Sequence, residues 1–473
     1  MNLKHYIICL LLFALYIISS GQNLQNRHLV LLELTNENTK LNKNLSTGIL
    51  STEEPALNKV LKKYNAFHFF KCVPDAKKEK FRNLYQIEIE GDINSFIKEL
   101  EKTGNFKFKK ELEYFTVDDC SNPVSYNDPW LVNHWVATYP FELLEAGCAW
   151  SLTLGSSSIV VGFADTEFKT HEDLVNQMVY VGGPITDEYP HGLYTTGCCS
   201  PETNNNKGIA GIGYNTKMAG YRVSHTIWPN GSVTGSPYSA IISAWDDDRP
   251  IINVSWSGTG LSTTEAQQMV NDGIVLVLSG GNTPNSTSHS SIADIPGVIV
   301  VSSVNKDNEH GPSGHAHNQW IDLCAPGVNV GTCEDPDSAK LYRSVWGTSA
   351  AAPYVSGTIG LMLARNSSLS PPQIERILET TCDPIADAAS YPGLLGAGRL
   401  NSYCAVYNSV PLTVGGYPTT GTYKRYFVNI LQGTVDYNRT VNIVGAEVTM
   451  TLPFEVKTGC TFSIEPSNDF SCN

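Results

Sequence analysis

Residues 251–282 read IINVSWSGTGLSTTEAQQMVNDGIVLVLSGGN. Both ends are apolar runs, Ile251 to Trp256 and Ile274 to Ser279. Between them Ser262 and Glu265 stand at capping-box spacing, and Gly273 stands where a helix would stop. This reads as strand, helix, strand. Unbroken apolar runs suit strands covered on both faces, and such strands belong to a parallel sheet with helices on either side.

The same theme extends in both directions. IVVGFA (Ile159 to Ala164), MAGYRV (Met218 to Val223) and VIVVSSV (Val298 to Val304) are further runs of this kind. Residues 127–408 are therefore expected to form one α/β domain, a mostly parallel sheet with helices on both faces. Its chemistry should lie just beyond the carboxyl ends of the strands.

Residues 22–122 differ. HLVLLEL and YQIEIEG look like strands, Pro55 to Tyr64 has helical spacing, and Asp92 is placed to cap a second helix. This is a small α+β unit. The turn-rich CSNPVSYNDP (Cys120 to Pro129) reads as a linker. Residues 409–473 alternate without helical periodicity and read as a small all-β module.

Lys4, the apolar Tyr6 to Ile18 and Ser19-Ser20-Gly21 have the order of a secretory signal over residues 1–21, and no later run is long enough to span a bilayer. A secreted chain can carry disulfides. Short loops among its 12 cysteines suggest Cys324–Cys333, Cys382–Cys404 and Cys460–Cys472, though spacing alone does not fix connectivity. The net charge is −14, and nearly all of it falls after Tyr126. That excludes nucleic acid and anionic membranes as natural partners of the later domain.

Four residues could do chemistry. Asp165 follows IVVGFA at a strand's carboxyl end. His191 sits in HGLYTTG, ahead of small residues. Asn282 ends LSGGN, where Gly280 and Gly281 let backbone approach a ligand. Ser349 opens WGTSAAAPYVSG, a helix too poor in bulk to be an ordinary core helix. Thr348 or Ser349 could cap that helix, and its first-turn N–H groups favour negative charge. Pro353 is expected in the first turn, where its missing N–H costs nothing.

In this order, and with GTSAAAPYVSG, VVGFADTEFKTHEDL, HGLYTTG, INVSWSG and LSGGN together, residues 127–407 resemble the subtilisin-like serine peptidases, the subtilases. The resemblance implies Asp165, His191 and Ser349 as a catalytic triad and Asn282 as an oxyanion donor. It implies polypeptide substrates lying along Ser255, Trp256, Ser257 and Gly258, beside Gly280 and Gly281. It implies that residues 22–122 act as an inhibitory propeptide, removed between about 118 and 127. No cofactor is required for the chemistry. A structural calcium is implied with Asp173 and Asn204 among its ligands. Three positions depart from the family pattern: Glu167 for a glycine, Leu193-Tyr194 after the His-Gly pair, and Ser257 for a glycine. They raise a second reading, a weakened relative that binds rather than cuts.

Overall fold

The computed structural model describes residues 27–470, apart from short stretches of which 44–49, 72–82 and 113–122 are the longest. The expected signal, Cys460–Cys472 and much of the expected cleavage region lie outside the described residues. Contacts divide the chain into two units, one ending at Asp119 and the other beginning at Cys120.

In the first unit, strands β1 (Arg27–Leu34), β2 (Phe67–Lys71), β3 (Leu84–Glu90) and β4 (Phe106–Leu112) form an antiparallel sheet in the order β2-β3-β1-β4. Helices α1 (Pro55–Lys63) and α2 (Ile93–Glu101) add Leu57, Leu61, Phe96 and Leu100 to a core with Val30, Leu32, Ile87 and Ile89. Asp92 caps α2 by accepting the Ser95 N–H at 2.7 Å.

The second unit is built on seven strands: β5 (Val160–Asp165), β6 (Met178–Gly182), β7 (Lys217–Arg222), β8 (Ile251–Val254), β9 (Val275–Ser279), β10 (Val298–Val304) and β11 (Leu323–Pro326). Their order is β11-β10-β9-β8-β5-β7-β6, and every pairing is parallel. Strands β8 to β11 are buried along their whole length, so no polar alternation marks them. The sequence did not reveal β6 or β11. Strand β6 is an edge strand with Val179, Tyr180 and Val181 exposed, and β11 is the four-residue LCAP.

Successive strand residues face opposite ways, and two cores result. Val161, Phe163, Val275, Val277, Ile299 and Val301 belong to one; Ile252, Val254, Leu276, Leu278, Val298 and Val300 belong to the other. The first is covered by helices α3 (Trp135–Leu143), α4 (Ala146–Leu152) and α5 (His191–Cys199). The second is covered by α6 (Tyr238–Asp246) and α7 (Thr263–Asn271). Helix α7 carries the expected capping box at Ser262 and Glu265, and Gly273 follows it at φ +88°. Strands β12 (Val330–Cys333) and β13 (Tyr342–Val345) form a hairpin ahead of α8 (Thr348–Arg365), which runs through the first core; α9 (Pro371–Thr380) and α10 (Ser402–Asn408) complete it.

The C-terminal segment is all-β. Leu412–Gly416, Phe427–Val435 and Glu447–Met450 pair in one sheet, and Gly421–Lys424, Thr440–Gly445 and Thr461–Pro466 in another, all in parallel. It is not a loose appendage. Tyr426 and Phe470 join the first core, and the Phe470 N–H donates to Thr380 O on α9 at 2.8 Å.

Two disulfide expectations are corrected. Cys324 and Cys333 are free, as is Cys382. Cys324 belongs to one core and Cys333 to the other, so the sheet separates them despite their short loop. Cys404 is disulfide-bonded, but not to Cys382; Cys148 is disulfide-bonded too.

Candidate active site

Strand β5 ends on Asp165, α5 begins at His191 and α8 begins one residue before Ser349. A short turn ties the first two together. Thr166 Oγ1 donates to Tyr189 O at 2.6 Å and accepts the His191 N–H at 3.0 Å. The Leu193 N–H donates to Glu167 O at 3.1 Å. The start of α5 is thereby fixed beside the end of β5. His191 Nδ1 comes to lie 2.8 Å from Asp165 Oδ1.

Asp165 is fully buried and its other contacts are satisfied. Oδ1 also accepts the Thr166 N–H at 2.8 Å, and Oδ2 accepts from Thr195 Oγ1 at 3.0 Å. Thr195 stands four residues after His191, on the same helix face. With Nδ1 donating to the carboxylate, Nε2 of a neutral His191 is the acceptor. Burial works against the imidazolium, but the charge of Asp165 and its hydrogen bond outweigh this. The His191 pKa is raised above its ordinary value near 6.5.

The N-cap of α8 is Gly347 rather than Thr348 or Ser349, and no side chain caps it. Gly347 has φ +132°, and a Cβ there would lie 3.2 Å from both Asn282 Nδ2 and Ser349 Oγ. The backbone favours glycine, and the space is tight. Thr348 does other work. Its N–H donates to Asn282 Oδ1 at 2.9 Å, its Oγ1 donates to the same oxygen at 3.2 Å, and Oγ1 accepts the Gly281 N–H at 3.0 Å. Since only an oxygen can accept these bonds, the Asn282 amide has one orientation, and Nδ2 is left to donate elsewhere. His191, Asn282 and Ser349 line one cavity of about 380 Å3.

Pro353 lies in the second turn of α8, not the first. There its missing N–H would leave Ser349 O without its helical partner. Ser255 Oγ replaces it, donating to Ser349 O at 2.9 Å. Ser255 Oγ accepts from Asn253 Nδ2 at 2.9 Å, and Asn253 Oδ1 accepts from Ser356 Oγ at 3.0 Å. A buried polar relay from α8 through β8 therefore returns to the backbone of Ser349.

Residues 124–402 match the subtilase family, peptidase S8. The chain belongs to the subtilase family. Among similar proteins are a thermophilic serine proteinase of Bacillus sp. (strain AK1), 32% identical over 54% of this chain and 64% of that protein. Halolysin of Haloferax mediterranei is 32% identical over 59% of this chain and 54% of its own length. Thermitase of Thermoactinomyces vulgaris is 30% identical over 59% of this chain and 98% of its own. The chain thus spans under two thirds of the first two relatives.

Within this subtilase the expected substrate strand is only partly as the sequence suggests. Ser255 is buried, and its hydroxyl donates to Ser349 O at 2.9 Å. Trp256, Ser257 and Gly280 line a separate recess of about 20 Å3 with His289 and Trp320. Gly258 is exposed, and Gly281 has φ +97° and donates its N–H to Thr348.

Asp173 and Asn204 do come into one loop system, but their oxygens are engaged. Asp173 Oδ2 accepts the Ile209 N–H at 2.9 Å and Oδ1 accepts from Asn205 Nδ2 at 2.8 Å. Asn204 Oδ1 accepts the Asn127 N–H at 2.8 Å. Burial pushes the Asp173 carboxyl up to about 6, against the lowering by these two donors. Each of these oxygens holds one N–H donor, so hydrogen bonds tie the loop together at Asp173 and Asn204.

The three departures find places. Glu167 is buried beside Arg222, their atoms 2.7 Å apart. Leu193 lies fully in the first core. Tyr194 borders the cavity, donating to Glu334 Oε1 at 3.0 Å and accepting from Arg343 at 3.1 Å. Ser257 is exposed. Sequence reading missed Thr195, Arg222 and the true roles of Thr348 and Ser255. The spacing of four between His191 and Thr195 was the one available signal; the rest depend on strand register.

Proposed function

We propose that this subtilase is a serine endopeptidase. The observation that carries the reading is the shared cavity of His191, Asn282 and Ser349, with Asp165 holding His191 from behind. His191 Nε2 removes the Ser349 proton as Oγ attacks the scissile carbonyl, and then gives it to the leaving amine. Asp165 fixes the tautomer and stabilises the imidazolium. The Asn282 Nδ2 donor and the Ser349 N–H at the start of α8 meet the oxyanion. Polypeptide substrate lies extended beyond β8, close to Ser257 and Gly258.

Secretion, and synthesis as a precursor inhibited by residues 22–122, belong to the same proposal. The compact, self-cored first unit and the signal-like N-terminus support them. N-terminal sequencing of secreted protein, expected to begin between about 118 and 127, tests both. A fluorophosphonate probe is expected to label Ser349 and to leave a Ser349→Ala variant unlabelled. Failure to label the unaltered protein contradicts the assignment and favours a binding role.

A further inference from the structure

Glu167 stands two residues after Asp165, where a second carboxylate should disturb the pair formed with His191. It does not point to solvent. Its side chain is 3% exposed and the Arg222 side chain 14%. Glu167 Oε1 accepts from Arg222 Nε at 2.7 Å and from the Phe168 N–H at 3.0 Å, while Oε2 is buried with no partner. Arg222 is also the direct register partner of Asp165 across β5 and β7. The turn is closely packed: a Cβ on Gly192 or on Gly220 would lie 2.7 Å from the Phe168 ring, which fills the space between them.

We infer that Glu167 and Arg222 are a positioning pair that sets the charge balance around Asp165 and His191, an inference that rests on the peptidase reading above. With His191 neutral, Asp165, Glu167 and Arg222 sum to one negative charge. With His191 protonated they sum to zero. Arg222 cancels the extra carboxylate, so the imidazolium is stabilised by one net charge rather than two. Two would hold the proton and spoil His191 as a base. A buried pair with one oxygen unsatisfied is a poor stabiliser of the fold. The other groups facing His191 do not upset this count. Tyr189 stacks on its ring at 5.9 Å, and the Tyr194 hydroxyl sits between Arg343 and Glu334, whose charges cancel.

The test is the titration of His191, followed by NMR in full-length protein carrying Ser349→Ala. Glu167→Gln leaves Arg222 charged and unopposed, so the His191 pKa is expected to fall by about half a unit or more. Glu167→Gln with Arg222→Gln is expected to bring it back towards the starting value. If Glu167→Gln does not fold, Arg222→Gln alone is expected to raise the pKa. A merely structural pair lowers thermal stability and leaves the His191 pKa in place; that result, or shifts of opposite sign, overturns the inference. An unaltered enzyme that fails to cut peptides, with the titration shifting as stated, overturns the peptidase reading instead.

Discussion

Pro353 removes a hydrogen bond from α8 one turn after Ser349, and Ser255 restores it from the neighbouring strand. A Ser255→Ala variant takes this donor from the partly buried Ser349 carbonyl. It is expected to lose about 1–3 kcal/mol of stability and to lower kcat, read by chemical denaturation and by peptide turnover. An unchanged midpoint and rate would show that the relay is idle. The pH profile follows from His191. The base must be neutral, and Asp165 holds its pKa above 6.5. The acid limb of kcat/KM is therefore expected above pH 6.5, with activity falling as pH drops through it; a limb below 6 contradicts the assigned pairing. Asp165, His191, Asn282 and Ser349, which the structure brings to one place, were picked out in the sequence by the joint order of their motifs, since the strand-end, Gly and small-residue signals beside each are weak alone. The bond from Ser255 to Ser349 O was not legible, because it depends on how β8 meets α8 in space.

At the scale of elements, the poverty of bulk in α8 has a direct cause. A Cβ on Gly357 would lie 2.5 Å from Ile212 Cγ2 and 3.0 Å from the Gly213 backbone N; on Gly360 it would lie 2.7 Å from the Thr216 side chain. The helix passes against the loop joining α5 to β7. Gly357→Ala is expected to shift α8 and with it Ser349. Since the helix gains propensity from alanine, a lower melting temperature with lower kcat points to crowding, and a higher one would refute it. Strands β8 to β10 were legible because burial on both faces leaves unbroken apolar runs. Strand β6 was not, since an exposed edge carries no such constraint.

In the molecule as a whole, one cluster opposes the fold at neutral pH. Asp322, Glu375 and Glu379 bring their oxygens within 4.8 Å of one another. Burial, and then the neighbouring carboxylates, push Asp322 up to about 8 and Glu375 up to about 7, despite one backbone N–H donated to each. A raised carboxyl pKa means that the folded state binds the proton more tightly than the unfolded chain. Stability is therefore expected to rise as pH falls from about 8 towards 4. Asp322→Asn is expected to raise the melting temperature at pH 8 and to leave it unchanged at pH 4. An equal gain at both pH values would remove the cluster as the cause. The three acids line a cavity together with Tyr426 and Glu447, and Tyr426 and Phe470 join the first core, so the β module, separable on the sequence, is packed as part of the second unit. Peptide hydrolysis by Ser349 is measured by cleavage of a peptide library by the mature protein beside its Ser349→Ala variant. Turnover by the first and none by the second is the expected result; equal cleavage by both, or none by either, contradicts it.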